Sequence, residues 1–132
     1  MYDYKLKIER VVDGDTVDGI IDLGFNVSTS LRIRLAGIDA PESRTRNLDE
    51  KRYGIEAKER LEEIVSGEGE LTIQSHGLGK YGRVIGVLFM DDNSVNRQLI
   101  DEGYAVEYQG SKKIEVSELL EKLDNARSSK KG

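Results

Sequence analysis

The first third of the chain alternates between apolar and polar residues, the middle repeats at helical spacing, and alternation then returns. From Tyr4 to Val12, Leu6 and Ile8 stand against Lys5, Lys7 and Glu9, the two-residue period of a half-buried strand. Asp13-Gly14-Asp15-Thr16 follows, and Asp-Gly between apolar runs signals a hairpin whose turn needs positive φ. Val17 to Leu23 is predicted as a second strand, Gly24-Phe25-Asn26 as a turn, and Val27 to Leu35 as a third strand. In that strand Leu31, Ile33 and Leu35 share one face, and Arg32 and Arg34 take the other. The economical arrangement is a three-stranded meander.

Ser43 to Leu48 is polar and reads as a mobile loop. Asn47 with Glu50 three residues later has capping-box spacing, and a helix is expected from there to about Ser66. Ala57, Leu61, Ile64 and Val65 form its apolar stripe, and Gly67 and Gly69 end it. Leu71 to Ser75 and Val84 to Met90 read as two more strands across a glycine-rich loop. Val95, Leu99 and Ile100 mark a short helix closed by Gly103, and Tyr104 to Tyr108 is expected to be extended. Val116, Leu119, Leu120 and Leu123 mark a last helix, with Ser128 to Gly132 expected to fray. Three strands, a helix and two more strands suggest a five-stranded closed barrel of the OB type with three helices, an α+β fold that is mainly β.

At 132 residues the chain is expected to form one domain, residues 1–132. Its net charge of −5 argues against indiscriminate binding of polyanions. The distribution is uneven: Phe25 to Ile38 has no acid but holds Arg32 and Arg34, and Leu71 to Met90 has none but holds Lys80 and Arg83. These stretches are either a local cationic surface or simply apolar strands with few charges. The absence of Cys excludes thiolate zinc sites, and His76, the only His, reads as a surface or strand-edge residue. No apolar run approaches the ~20 residues of a membrane span, so no membrane association is expected. The first seven residues hold no apolar signal core, which makes a cytoplasmic location the expectation, with a phage or mobile element as a natural source.

The densest chemistry lies in Arg34-Leu-Ala-Gly-Ile-Asp39-Ala-Pro-Glu42. Pro41, the only proline, fixes its own φ and pushes Ala40 towards extended backbone, so the carboxylates of Asp39 and Glu42 are partly aimed. An EF-hand starting at Asp13 fails, because Asp18 stands where Gly is required and Gly24 where Glu is required. If neighbouring strands bring Asp15 and Asp39 together, two carboxylates, a backbone carbonyl and water make a hard-cation site suited to Ca²⁺. Arg34 and Arg83 can both reach a phosphate on such an ion, and Glu42 can polarise a water. Taken singly, each residue also fits a plain turn or a solvated strand end.

The combination is more specific. Val-Val-Asp-Gly-Asp-Thr-Val (11–17), the 34–42 segment, Tyr-Gly-Ile-Glu-Ala (53–57) and Lys-Tyr-Gly-Arg (80–83) resemble, in order and spacing, the motifs of the staphylococcal nuclease (thermonuclease) family. Val95-Asn96 and Glu-Gly-Tyr-Ala (102–105) also match, and the resemblance covers roughly residues 5 to 125. It implies a Ca²⁺-dependent endonuclease that hydrolyses DNA and RNA to 5′-hydroxyl and 3′-phosphate ends. By position it implies Asp15, Asp39 and the Ala40 carbonyl as calcium ligands, and Arg34, Glu42 and Arg83 as catalytic residues. Asp13 and Thr16 would orient Asp15 or ion-bound water, Lys80 and Tyr81 would contact the nucleotide, and Tyr108 would stack on a base. A monomer is expected. The alternative from another class is a non-catalytic nucleic-acid or protein-binding module of the same family, which typically lacks these acids and arginines.

Overall fold

The computed structural model describes residues 3–79, 82–108 and 114–131. In chain order the elements are β1 (Asp3–Asp13), β2 (Thr16–Gly24), β3 (Val27–Leu35), β4 (Ile38–Asp39), α1 (Leu48–Val65) and β5 (Leu71–Leu78). β6 (Val84–Met90), β7 (Asn93–Ser94), α2 (Val95–Asp101), β8 (Val106–Glu107) and α3 (Val116–Lys131) follow. β1, β2 and β3 form the antiparallel meander, β1 also pairs with β5, and β5 pairs with β6. A parallel pairing of β3 with β6, from Ile33↔Val84 to Leu35↔Gly86, closes the ring. The result is a closed five-stranded mixed barrel with three helices, of the OB-like type.

The barrel is filled by residues at strand period. Val17, Ile33, Ile73 and Leu88 are completely buried and belong to one apolar core. The helical stripe Gly54, Ala57, Leu61 and Ile64 buries α1 against that core, mainly along β1. Asn47 caps α1, its Oδ1 accepting the N–H groups of Asp49 and Glu50 at 3.1 Å each. On α2, buried Asn96 accepts the Leu88 N–H at 3.1 Å and donates to the Ala36 carbonyl at 2.9 Å, saturating backbone where β3 and β6 meet.

Four details differ from the sequence pattern. Gly14 keeps φ outside the left-handed region, so the β1–β2 turn does not require its conformational freedom. It is required for closeness, since a Cβ there would lie 2.6 Å from the Ala57 Cβ on α1. The β2–β3 turn is the one that uses positive φ, at Gly24, Phe25 and Asn26. β5 runs on to Leu78 and carries exposed His76. β4 and β8 pair as a separate two-stranded sheet, Ile38↔Glu107 and Asp39↔Val106. Each is two residues long, too short for any period to announce it.

Candidate functional site

Three chain segments meet at the end of β3. The β2–β3 register places Thr16 beside Arg34, and the Leu35 N–H donates to the Asp15 carbonyl at 2.8 Å. Asp15 therefore sits next to Arg34 although 19 residues separate them. β4 returns the chain, and the Ala40 N–H donates to Asp15 Oδ2 at 2.9 Å. Thr16 donates its hydroxyl to Asp15 Oδ1, also at 2.9 Å. The Arg34 Nη2 lies 3.5 Å from Asp15 Oδ2 and 3.6 Å from Asp39 Oδ1, so one guanidinium faces both carboxylates.

Asp15 is buried, and burial raises its pKa above the usual carboxylate value. Arg34, the Ala40 amide and the Thr16 hydroxyl oppose that shift, and Asp39 adds to it. A cavity of about 370 Å³ opens over these groups and is also lined by Glu42, Arg83 and Tyr108. The residues around it include five acids, Asp13, Asp15, Asp39, Glu42 and Glu50, and two arginines, Arg34 and Arg83, a formal charge of −3 among the described residues. A phosphate diester entering such a cavity meets net repulsion unless a cation accompanies it. The donors on offer are hard carboxylate oxygens, and among the described residues no three His, Cys, Asp or Glu converge on one point. Carboxylate oxygens suit an oxygen-seeking cation better than a soft metal.

Glu42 projects from a turn held from two sides. On α1, buried Glu50 accepts the Glu42 N–H at 3.2 Å. On β1, Asp13 accepts the Ser43 N–H at 3.0 Å and also the Ser43 hydroxyl, so Asp13 engages the Glu42 turn rather than Asp15. A Cβ on Gly54 would lie 2.1 Å from the Glu42 carbonyl oxygen, which is how closely α1 presses on this turn. Sequence reasoning missed Glu50 and Gly54 as parts of the site. Glu50 occupies the third position of a capping box, but its carboxylate serves Glu42 and not the Asn47 N–H. Gly54 lies inside the 53–57 motif, which was the available signal.

Tyr108 also lines the cavity; its backbone N–H donates to the Gly37 carbonyl at 2.9 Å, and its side chain is exposed. Ile114, Val116 and Leu119 close the cavity from the α3 side. Lys80 and Tyr81 lie outside the described residues. Arg32 does not join Arg34: it forms a two-pronged pair with Asp18 at 2.8 and 3.1 Å, and Arg10 meets the same carboxylate at 3.1 Å. The cationic stretch read from sequence is therefore partly neutralised from β2. A larger cavity, about 500 Å³, lies between β1 and the end of α1 without a comparable cluster.

Residues 32–132 match the family described as staphylococcal nuclease homologue. The chain belongs to that family. Among its relatives is the micrococcal nuclease of Shigella flexneri, 27% identical over 139 residues, covering 98% of this chain and 73% of the relative. Endonuclease YhcR of Bacillus subtilis is 33% identical over 114 residues, covering 80% of this chain but only 9% of that protein. The SPbeta prophage-derived endonuclease YokF of the same species is 34% identical over 101 residues, covering 74% of this chain and 32% of the relative. This staphylococcal nuclease-like chain thus spans most of one relative and a minor part of the other two.

Proposed function

We propose that this chain is a Ca²⁺-dependent endonuclease acting on DNA and RNA. The single observation that carries the reading is the gathering of Asp15, Arg34, Asp39, Glu42 and Arg83 around one cavity. The names of the nuclease and endonuclease relatives support it. Asp15, Asp39 and the Ala40 carbonyl would hold the ion. When bound, Ca²⁺ supplies a Lewis acid and a template for phosphate and water.

The protein's own groups do the rest. Arg34, held between two acids, donates planar hydrogen bonds to the equatorial phosphate oxygens as charge builds there. Arg83, just before β6, does the same and assists the departing 5′ oxygen. Glu42 accepts the proton of the attacking water, its position fixed by Glu50 and by Asp13 through Ser43. Water adds to phosphorus, the bond to the 5′ oxygen breaks, and a 3′-phosphate and a 5′-hydroxyl result. Lys80 and Tyr81 contact the nucleotide, and Tyr108 offers a ring on which a base stacks. The domain is proposed to include β1 and β2, because Asp13, Asp15 and Thr16 come from them and from their turn.

The test is cleavage of denatured DNA in CaCl₂ and in EGTA, with Arg83→Ala and Glu42→Gln alongside. Cleavage is expected only with Ca²⁺, and Glu42→Gln should lower turnover by a factor of about 10² or more. Oligonucleotide binding that persists in EGTA, with no cleavage at any Ca²⁺ level, would favour a binding module instead.

A further inference from the structure

The outer edge of β3 makes a second surface, remote from the cavity. β3 pairs with β2 along its length, but with β6 only from Ile33 onwards. Val27 to Leu31 therefore has no strand partner on its other side among the described residues. The direction of its open hydrogen-bonding groups follows from its neighbours. The Leu35 N–H points to β2, onto Asp15, and the Ala36 N–H points to β6, onto Gly86. Backbone groups alternate along a strand, and the register with β2 is unbroken from Arg34 to Ser28. The amides and carbonyls of Ser28 and Ser30 thus face outwards.

Natural proteins guard such an edge with Lys, Pro or a bulge. Here the stretch from Phe25 to Leu31 holds no charge, no Pro and no Gly. Beside it, Leu23 is 45%, Phe25 100% and Val27 54% exposed. Phe25 is held at φ 56°, a conformation that disfavours bulky side chains, so the tip presents an apolar ring under local strain.

The sequence Val27-Ser28-Thr29-Ser30-Leu31 reads nearly the same in both directions. We propose that β3 pairs antiparallel with β3 of a second copy, about a two-fold axis at Thr29. In that register Ser28 and Ser30 of the two copies exchange backbone hydrogen bonds, as their outward groups require. Thr29 faces Thr29, and Val27 faces Leu31, so polar meets polar and apolar meets apolar. A shift by two residues would set Ser28 against Arg32 and lose the match. The occupant is a second copy because the strand complements itself. Five residues a side fall below the roughly 1,200 Å² of stable interfaces, so the dimer is a transient one that forms at high protein concentration. It departs from the monomer expected from sequence, and it does not depend on the nuclease reading.

The chain has no Cys, which allows a test of register. In a non-hydrogen-bonded antiparallel pair the Cα atoms lie about 4.5 Å apart, within disulfide reach. Under mild oxidation Thr29→Cys should form covalent dimers at least about tenfold faster than Phe25→Cys, although Phe25 is fully exposed. Adding Ser28→Lys and Ser30→Lys, both at exposed positions, should remove that advantage while leaving the far-ultraviolet circular dichroism unchanged. Sedimentation equilibrium of the unmodified protein should show an average mass rising above 14.8 kDa with concentration. Equal cross-linking at Thr29 and Phe25, indifference to the two lysines, or a constant 14.8 kDa would each overturn the proposal. DNA cleavage should be unaltered by the lysine pair, so inactivity of the unmodified protein would count against the nuclease reading alone.

Discussion

Glu50 accepts the backbone N–H of Glu42 at 3.2 Å, so a buried acid on α1 holds an exposed acid on the turn before it. A group that acts on water needs its position fixed to within a fraction of an ångström. Glu50→Ala should therefore lower kcat about tenfold with little change in KM. Glu50→Gln keeps an acceptor oxygen and should recover most of the loss, which a merely structural role would not require. Steady-state kinetics on single-stranded DNA checks both.

Gly54 tests the same turn from the other side. Its substitution by Ala forces a methyl group to within 2.1 Å of the Glu42 carbonyl unless the turn moves. Gly54→Ala should raise the intrinsic helix propensity of α1 by up to about 1 kcal/mol, yet weaken packing and turnover together. Equal activity and higher stability would show that the turn yields without consequence.

Asp15 is the clearest place where the proposed function opposes stability. Burial raises its pKa, so the folded state holds the proton more readily than the unfolded state does. As pH rises above the unfolded carboxylate value the ionised carboxylate works against folding, and the cost is complete once pH has passed the raised folded value. In EGTA, Asp15→Asn should raise Tm by a few degrees, roughly 3–5 °C. Excess CaCl₂ should raise the Tm of the parent and leave the variant unmoved. Thermal melts with and without the ion decide it.

Asp18 carries the opposite sign. Its hydrogen bonds from Arg32, aided by Arg10, hold its pKa below the ordinary value. The stabilisation is present above the unfolded carboxylate pKa and fades as pH falls through the lowered one. The partners are about half exposed, so solvent screening limits the effect. Asp18→Asn should cost up to about 1 kcal/mol at neutral pH and less at about pH 2. Urea unfolding at the two pH values measures the difference.

Arg127 fastens α3. Its guanidinium lies 5.1 Å from the Tyr53 ring centre and 4.9 Å from that of Tyr104. It also donates to the Gly103 carbonyl and to Glu56, each at 3.0 Å. Arg127→Ala should cost about 2 kcal/mol, and Arg127→Lys should restore less than half, lacking the planar fork. Because α3 supplies Val116 and Leu119 to the cavity wall, the Ala variant should also weaken substrate binding.

The five barrel strands were legible because Leu6, Val17, Ile33, Ile73 and Leu88 fall at strand period, and the α1 stripe because Ala57, Leu61 and Ile64 fall at helical period. The approach of Asp15 to Asp39 was readable from the meander, since adjoining strands fix which ends meet. Other features were hidden for physical reasons. The role of Glu50 lies in a contact across a loop, while its sequence signal is a local cap. Gly14 looked like a turn residue, yet its need is steric and comes from Ala57, 43 positions away. The pairing of β4 with β8 joins two-residue segments, and no pattern survives at that length.

That small sheet has a consequence for synthesis. Asp39 is aligned by Val106, and the neighbouring backbone of Gly37 is bound by Tyr108. A ribosome delivers Asp39 long before it delivers either partner. The acids and arginines gathered around the cavity thus cannot reach their final arrangement in a growing chain until most of the sequence has emerged.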